Sequence, residues 1–450
     1  MHTHTLTGWG RVAPSRATLA EPSSETDAAA LLDPARAEAQ DGVIARGLGR
    51  SYNNAAQCAG GLVISTARLN RILDLDTETG LVTCEAGVSL ERLMVAGLPH
   101  GWFVPVSPGT RQVTVGGAIA ADVHGKNHHA AGSFAGHVPS LDLVLPGGER
   151  RTVTPREELF WATAGGMGLT GIIVRATVQL TRVPTALVRV DTVRTADVDE
   201  TMAVLADHDR THRYTVAWSD SLARGAHLGR SVVTSGDFAP LTDLPAKQQA
   251  SPLLFNPESK LGVPGEWPVG VINRYTVALA NEAYYRKAPR RRSGELQSIG
   301  KFFHPLDGIR NWNRVYGPGG MRQYQYVVPF GQEAAVRRSF ELVSAARAPS
   351  FVTVLKRFGA GDPGLLSFPV AGWTLALDFP ARTPGLAALL DRLDELVVAA
   401  GGRVYLAKDS RVPAGTLEQM YPRLAEFRKL RAELDPAGLL ASDLSRRLNL

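Results

Sequence analysis

The amino-acid sequence predicts an α+β protein of two domains. Short alternating strands lie among isolated helical runs, without the regular strand–helix repeat of a doubly wound sheet. Near Pro184 the character changes and a second set of strands begins. With 450 residues, 44% of them hydrophobic and 20% charged, the chain has room for two cores.

In the first domain, GVIARG, GLVIST and LVTCEAGV read as strands separated by turns. SLERLMVAGL follows as a helix with Ser89 at its N-cap. SLDLVLPGGERRTVT reads as a hairpin turning at Pro-Gly-Gly. ELFWATAGGMGLTGIIVRATVQLTRV then gives a helix, a glycine loop and a long strand. In the second domain, strands LVRVDTVRT and YTVAWSDSLARG flank the helix DVDETMAVLADHD. Residues 237–298, rich in Pro, Gly and charge, are expected to be long mobile loops. Strands RQYQYVVPF, SFVTVLKRF and GWTLALDFP, with helices EAAVRRSFELVSAAR and GLAALLDRLDELVVAAGG, complete the second sheet, and the tail from MYPRLAEF onward is helical.

Composition excludes several classes. The sequence contains no apolar run long enough for a transmembrane helix, and MHTHTLTGWGRVAPS lacks the apolar core of a signal peptide. Cys58 and Cys84 make neither a disulfide framework nor a zinc site and read as small core residues. The net charge of +6 is concentrated at Arg286, Lys287, Arg290, Arg291 and Arg292. That cluster is either a solvated loop or a surface for phospholipid or a phosphorylated substrate. It has no nucleic-acid motif beside it, so nucleic acid is not expected as a partner.

Three glycine-bearing loops carry the chemistry. They are Arg46–Tyr52 (RGLGRSY), Pro108–Thr110 running to Gly116-Gly117, and Gly165–Gly171 (GGMGLTG). Glycines let backbone N–H groups converge on a phosphate. One such loop is an ordinary turn, whereas three in one domain suit a cradle for a phosphate-bearing cofactor. His124, His128, His129 and His137 follow the second loop. As metal ligands they lack a carboxylate or cysteine cluster beyond Asp122, so no metal is expected.

ARGLGRSY, PVSPGTRQVTVGGAIAADVHGKNHH and GGMGLTGII resemble the PCMH-type FAD-binding domain of the vanillyl-alcohol oxidase superfamily. LTGWGR, FFHPLD, QYQYVVP, YLAKDSR and ASDLSRRL extend the resemblance over nearly the whole chain, to the oxidase components of decaprenylphosphoryl-β-D-ribose 2′-epimerases. The resemblance implies an FAD-binding domain at 1–184, a substrate-binding antiparallel-sheet domain at 185–402, and a segment at 403–450 returning to the first. It implies non-covalent FAD held by Arg46, Gly47, Leu48, Gly49, Arg50, Ser51 and Tyr52, and by Pro108, Gly109, Thr110, Thr114, Gly116 and Gly117. Ala121, His124, Gly125, Asn127, His128, Ile172 and Tyr405 complete that expected set, with Ile173 packing beside Ile172. His124 matches the histidine that some superfamily members join to the flavin. Lys408 matches the active-site lysine, with Tyr52 and His124 as further catalytic candidates. Lys126, Gln325, Lys356, Thr374, Ala376 and Lys408 are the implied substrate-binding residues.

The implied activity is oxidation of the ribose 2′-hydroxyl of a polyprenyl-phosphoryl ribose, the first half of an epimerisation serving cell-wall arabinan. An NAD(P)H-dependent reductase, a quinone-type electron acceptor and peripheral contact with a membrane of the cell envelope come with it. An FAD oxidase of a soluble sugar or alditol, and a flavin-binding protein without turnover, are the other readings. In GWTLALDFP, Thr374 and Ala376 replace an asparagine and a cysteine of mycobacterial members. Alanine has no nucleophile, so cysteine-directed inhibitors are expected to form no stable adduct here; intact-protein mass spectrometry checks this.

Overall fold

The computed structural model describes residues 2–33, 41–257, 261–268 and 270–450. Strands His2–Leu6, Ser15–Ala20, Leu62–Ser65 and Val43–Arg46 form a first sheet in that order, antiparallel at its first pair and parallel thereafter. An antiparallel five-stranded sheet follows, in the order Ile72–Leu75, Leu81–Glu85, Ile172–Gln179, Ser140–Val144 and Arg150–Val153. Local sequence explains the details. Ser89 caps the helix Leu90–Gly97 by accepting from the Arg92 N–H. Gly147 and Gly148 turn the hairpin with φ of 94° and 85°, a region that favours glycine.

The second domain is built on one antiparallel eight-stranded sheet. Its order is Arg291–Ser298, Leu187–Thr195, Ser231–Phe238, Tyr214–Ser219, Thr353–Phe358, Gly372–Pro380, Met321–Pro329 and Arg403–Val404. Helices Glu333–Ala346 and Leu386–Ala399 bury Phe340, Val343, Leu390 and Leu393, and these side chains join the core beneath the sheet.

The structure corrects two expectations. Residues 237–298 are not loops throughout, because Arg274–Lys287 is a helix and Arg291–Ser298 is the edge strand of the large sheet. The helix starts from a capping box between Asn273 and Thr276. Neither element shows apolar periodicity, because the helix buries only Val277 and Asn281 and the strand's first half is exposed. The return to the first domain also begins later than residue 403: Arg403 and Val404 still pair with Val327 and Tyr326. Farther on, the chain runs beside Val43, whose N–H donates to the Leu439 carbonyl at 2.8 Å while the Ala441 N–H donates back at 3.0 Å. Asp435 interrupts the helical tail by accepting the N–H groups of Leu439 and Leu440.

Candidate active site

Parts of all three glycine loops open into one cavity of about 1680 Å³ between the FAD-binding side and the large sheet. The first two loops close directly on each other. A Cβ at Gly47 would stand 2.3 Å from Thr114 Oγ1; Gly116 packs instead on the end of strand Leu81–Glu85, where a Cβ would stand 2.9 Å from Ala86 Cβ. Among the described residues, no backbone carbonyl accepts the N–H groups of Leu48, Gly49, Arg50 or Ser51. The second loop is held by the FFHPLD block: Ser107 Oγ lies 2.6 Å from His304 Nε2, and the Arg111 N–H donates to Asp307 at 2.8 Å.

Tyr52, at the end of the first loop, donates its N–H to the Ala407 carbonyl at 3.0 Å. The next residue, Lys408, holds its Nζ 3.7 Å from the centroid of the Tyr52 ring. Burial lowers the Lys408 pKa, Asp378 acts against that, and Lys356 reinforces it. Burial likewise raises the Asp378 carboxyl. Gln323 donates to one carboxyl oxygen of Asp378; the other has no partner among the described residues. Lys126 is brought down to about 7 by burial and by Lys356, and Lys356 to about 8 by burial. The Lys126 ammonium donates to the Phe302 carbonyl and sits 4.4 Å over the Phe302 ring.

His124 is packed between Phe358, Phe368 and Tyr405, at ring-centroid distances of 4.8, 5.4 and 4.9 Å. Gln325 donates to His124 Nε2 at 2.9 Å, while Nδ1 faces the Asp122 carbonyl at 3.3 Å. Burial holds this imidazole well below its ordinary pKa, so it is neutral, with its proton on Nδ1. Tyr405 fixes the same loop by donating to the Ala121 carbonyl.

Most of the expected residues stand in the cavity wall, including Tyr52, Gly109, His124, Lys126, Gln325 and Lys408. Five stand behind it. The Arg46 guanidinium turns back to the carbonyls of Ala56 and Thr7. Asn127 donates to the Pro105 carbonyl and braces the loop. His128, with its pKa pushed down to about 3 by burial, accepts from the Gly359 N–H and packs on Phe358. Strand alternation sends Ile172 into the core with Val144 and Val174, leaving Ile173 in the wall. Thr374 Oγ1 is committed to the Tyr326 carbonyl at 2.8 Å and accepts from Gln325. The other histidines go separate ways: His129 to the His212 carbonyl and His137 to the Ala131 carbonyl.

Asp378 and Gln323 were missed in the sequence. The signal was available, because Gln323 and Gln325, like Ala376 and Asp378, are two apart on adjacent strands and so share a face. Trp218 and Tyr284 were also missed. Their place in the cavity depends on strand order and on the helix 274–287, which local sequence does not display.

Comparison with known proteins shows the family. Residues 17–154 match the FAD binding domain family, and residues 379–448 match the D-arabinono-1,4-lactone oxidase family. Fold and site therefore define an FAD-dependent oxidoreductase. The chain is 46% identical to decaprenylphosphoryl-beta-D-ribose oxidase of Mycolicibacterium smegmatis, over 100% of this chain and 98% of that protein. It belongs to the decaprenylphosphoryl-β-D-ribose oxidase family. An uncharacterized Streptomyces coelicolor protein is 45% identical over 81% of this chain and 100% of its own length. Alditol oxidase of a Streptomyces species is 24% identical over 92% and 94% of the two chains.

The residues present fit FAD. The N–H groups at 48–51, which have no carbonyl partner among the described residues, are suited to its pyrophosphate, and Gly109 lines the cavity with nothing within 4 Å of where its Cβ would stand. No helix among the described residues is long and apolar enough to cross a membrane.

Lys356 offers a test of the site's electrostatics. Its pKa falls from 10.5 to about 8 on burial, so the folded protein releases a proton between those limits and loses stability as pH falls through them. In the cofactor-free protein, Lys356→Met should therefore gain on the parent as pH drops from 10.5 to 8. Below that window the gain should hold constant, at about 1–3 kcal/mol. Chemical denaturation at several pH values measures it, and a stability difference independent of pH would refute it.

Proposed function

We propose that this chain oxidises the ribose 2′-hydroxyl of a polyprenyl-phosphoryl ribose, decaprenylphosphoryl-β-D-ribose in the first instance, to the 2′-ketone. The observation that carries this reading is the convergence of Lys408, Lys356, Gln325 and His124 at the end of the cavity that the glycine loops enter. When bound, FAD supplies a two-electron acceptor for the hydride from the sugar carbon. Lys408 has the position and the lowered pKa to receive the hydroxyl proton as a neutral amine. In its protonated form it stabilises negative charge on the same side of the site. Tyr52 seats the lysine, while Gln325 and Lys356 orient the sugar hydroxyls. Neutral His124 shapes the wall, and both its ring nitrogens already face protein partners. That engagement supports FAD held without a covalent bond.

The 2′-ketone is the substrate for reduction from the other face, which calls for an NAD(P)H-dependent reductase as partner. A quinone-type molecule is the proposed electron acceptor. Arg290, Arg291 and Arg292 lie exposed beside the far end of the cavity and support peripheral contact with an anionic membrane of the cell envelope. The 24% identity with alditol oxidase keeps oxidation of a soluble polyol by oxygen as the second reading.

Anaerobic mixing with a farnesyl-phosphoryl ribose should bleach the flavin absorbance, and mixing with alditols should not; the reverse result would favour the second reading. Lys408→Met should retain FAD, releasable by acid precipitation, yet lower the reduction rate at least about a thousandfold. A wild-type rate in that variant would remove Lys408 from the chemistry.

A further inference from the structure

The cavity continues well past the cluster at Lys408. From Ala376 it crosses the face of the large sheet through Val354, Trp218, Val216, Val232, Thr234 and Thr192, reaching Gln297 on the edge strand. The strand register places these side chains on one face: Val354 opposite Ala376, Trp218 opposite Val354, Val232 opposite Trp218, and Thr192 opposite Thr234. Five interstrand steps of about 4.8 Å give this arm a length of roughly 24 Å. Its sheet wall is valine, tryptophan and threonine. Charged lining side chains stand at the far end, namely Lys287, Glu295 and Lys301. A cofactor and one sugar do not need such a passage.

The roof of the arm is the helix Arg274–Lys287, which contributes Ala280, Asn281 and Tyr284 to the lining. Tertiary packing of an apolar stripe is what ordinarily holds a surface helix. This one is held at points instead. Asn281 donates to Asp220 at 2.8 Å, Arg230 bridges Asp220 and Glu282, and Tyr284 meets Trp218 edge-on at 4.5 Å. Its outer side leaves Tyr275 and Leu279 71% and 73% exposed.

We propose that this arm is the berth of the substrate's polyprenyl chain. The chain runs under the helix Arg274–Lys287 and leaves past Tyr284, while the sugar head lies at Lys408. The assignment deepens the proposed function and rests on its lipid-linked substrate. The occupant is a long, flexible, apolar chain because valine, tryptophan and alanine dominate the passage, its polar groups are mainly two threonines, and the Asn281 amide is already bonded to Asp220.

The test uses the FAD-loaded full chain with sugar-free probes, namely farnesyl, geranylgeranyl and undecaprenyl monophosphate, followed by tryptophan fluorescence below their aggregation limits. Affinity should rise roughly tenfold or more per added isoprene unit while the arm fills, then level off. Ala280→Trp on the roof and Thr234→Trp on the floor each narrow the arm. Each should weaken geranylgeranyl phosphate at least about tenfold while leaving FAD content and melting temperature unchanged. The two variants lie on different elements, so misfolding of one leaves the other to decide. Affinity independent of chain length, or unmoved in the folded variant, would overturn the assignment. Farnesyl-phosphoryl ribose run in parallel separates the failures. No bleaching with chain-length dependence intact sinks the head-group reading alone, and bleaching without chain-length dependence sinks the berth alone.

Discussion

The site depends on a buried clamp between two segments more than 350 residues apart. Asn53 donates to the Leu406 carbonyl at 2.6 Å and also to the Asp409 carbonyl, while its side-chain oxygen accepts from the Ala55 N–H at 3.1 Å. The neighbouring Tyr52 N–H bonds to Ala407. These bonds fix the segment carrying Lys408 against the end of the first glycine loop. A buried amide left unpaired costs about 1–3 kcal/mol, so the clamp holds as a unit or fails as one. Asp409 stiffens the other side, accepting from the N–H groups of Arg411 and Val412 and from Arg447. Lys408 and the first glycine loop thus share one rigid origin, although they come from opposite ends of the chain.

Charge within the cavity follows from that enclosure. Lys126, Lys356 and Lys408 meet in a space with Asp378 as the buried carboxylate facing Lys408. Burial pushes all three lysines toward the neutral amine, Lys356 adds to this at Lys126 and Lys408, and burial pushes Asp378 toward the neutral acid. A site of this kind changes protonation state at small cost. Apolar walls on one side and titratable groups on the other suit a ligand with an apolar tail and a polar head.

Much of this architecture is legible in the residues. Ser89 at its helix N-cap, the Pro-Gly-Gly hairpin and the strands of GVIARG and GWTLALDFP stand where propensity and alternation place them. The helix Arg274–Lys287 and strand Arg291–Ser298 are illegible for a physical reason. A roof helix and an edge strand bury little, so neither carries the apolar period by which elements are recognised. Arg46, Asn127 and His128 lie inside the right motifs yet serve to brace the cradle from behind. A motif marks a segment, and side-chain direction within it belongs to the packing.

The sequence by itself determined the α+β class, the glycine loops with their FAD, the family, and Lys408 as the residue to watch. Each of these is written in local composition, spacing or contiguous motifs. Only the tertiary structure decided that Asp378 and Gln323 line the cavity with Lys408, that His124 is a neutral wall residue held by Gln325, and that an arm of the cavity crosses five interstrand steps to the edge of the sheet. Those facts depend on strand order, register and burial. They are long-range properties, set when distant segments exclude water together, and no local pattern of residues encodes them.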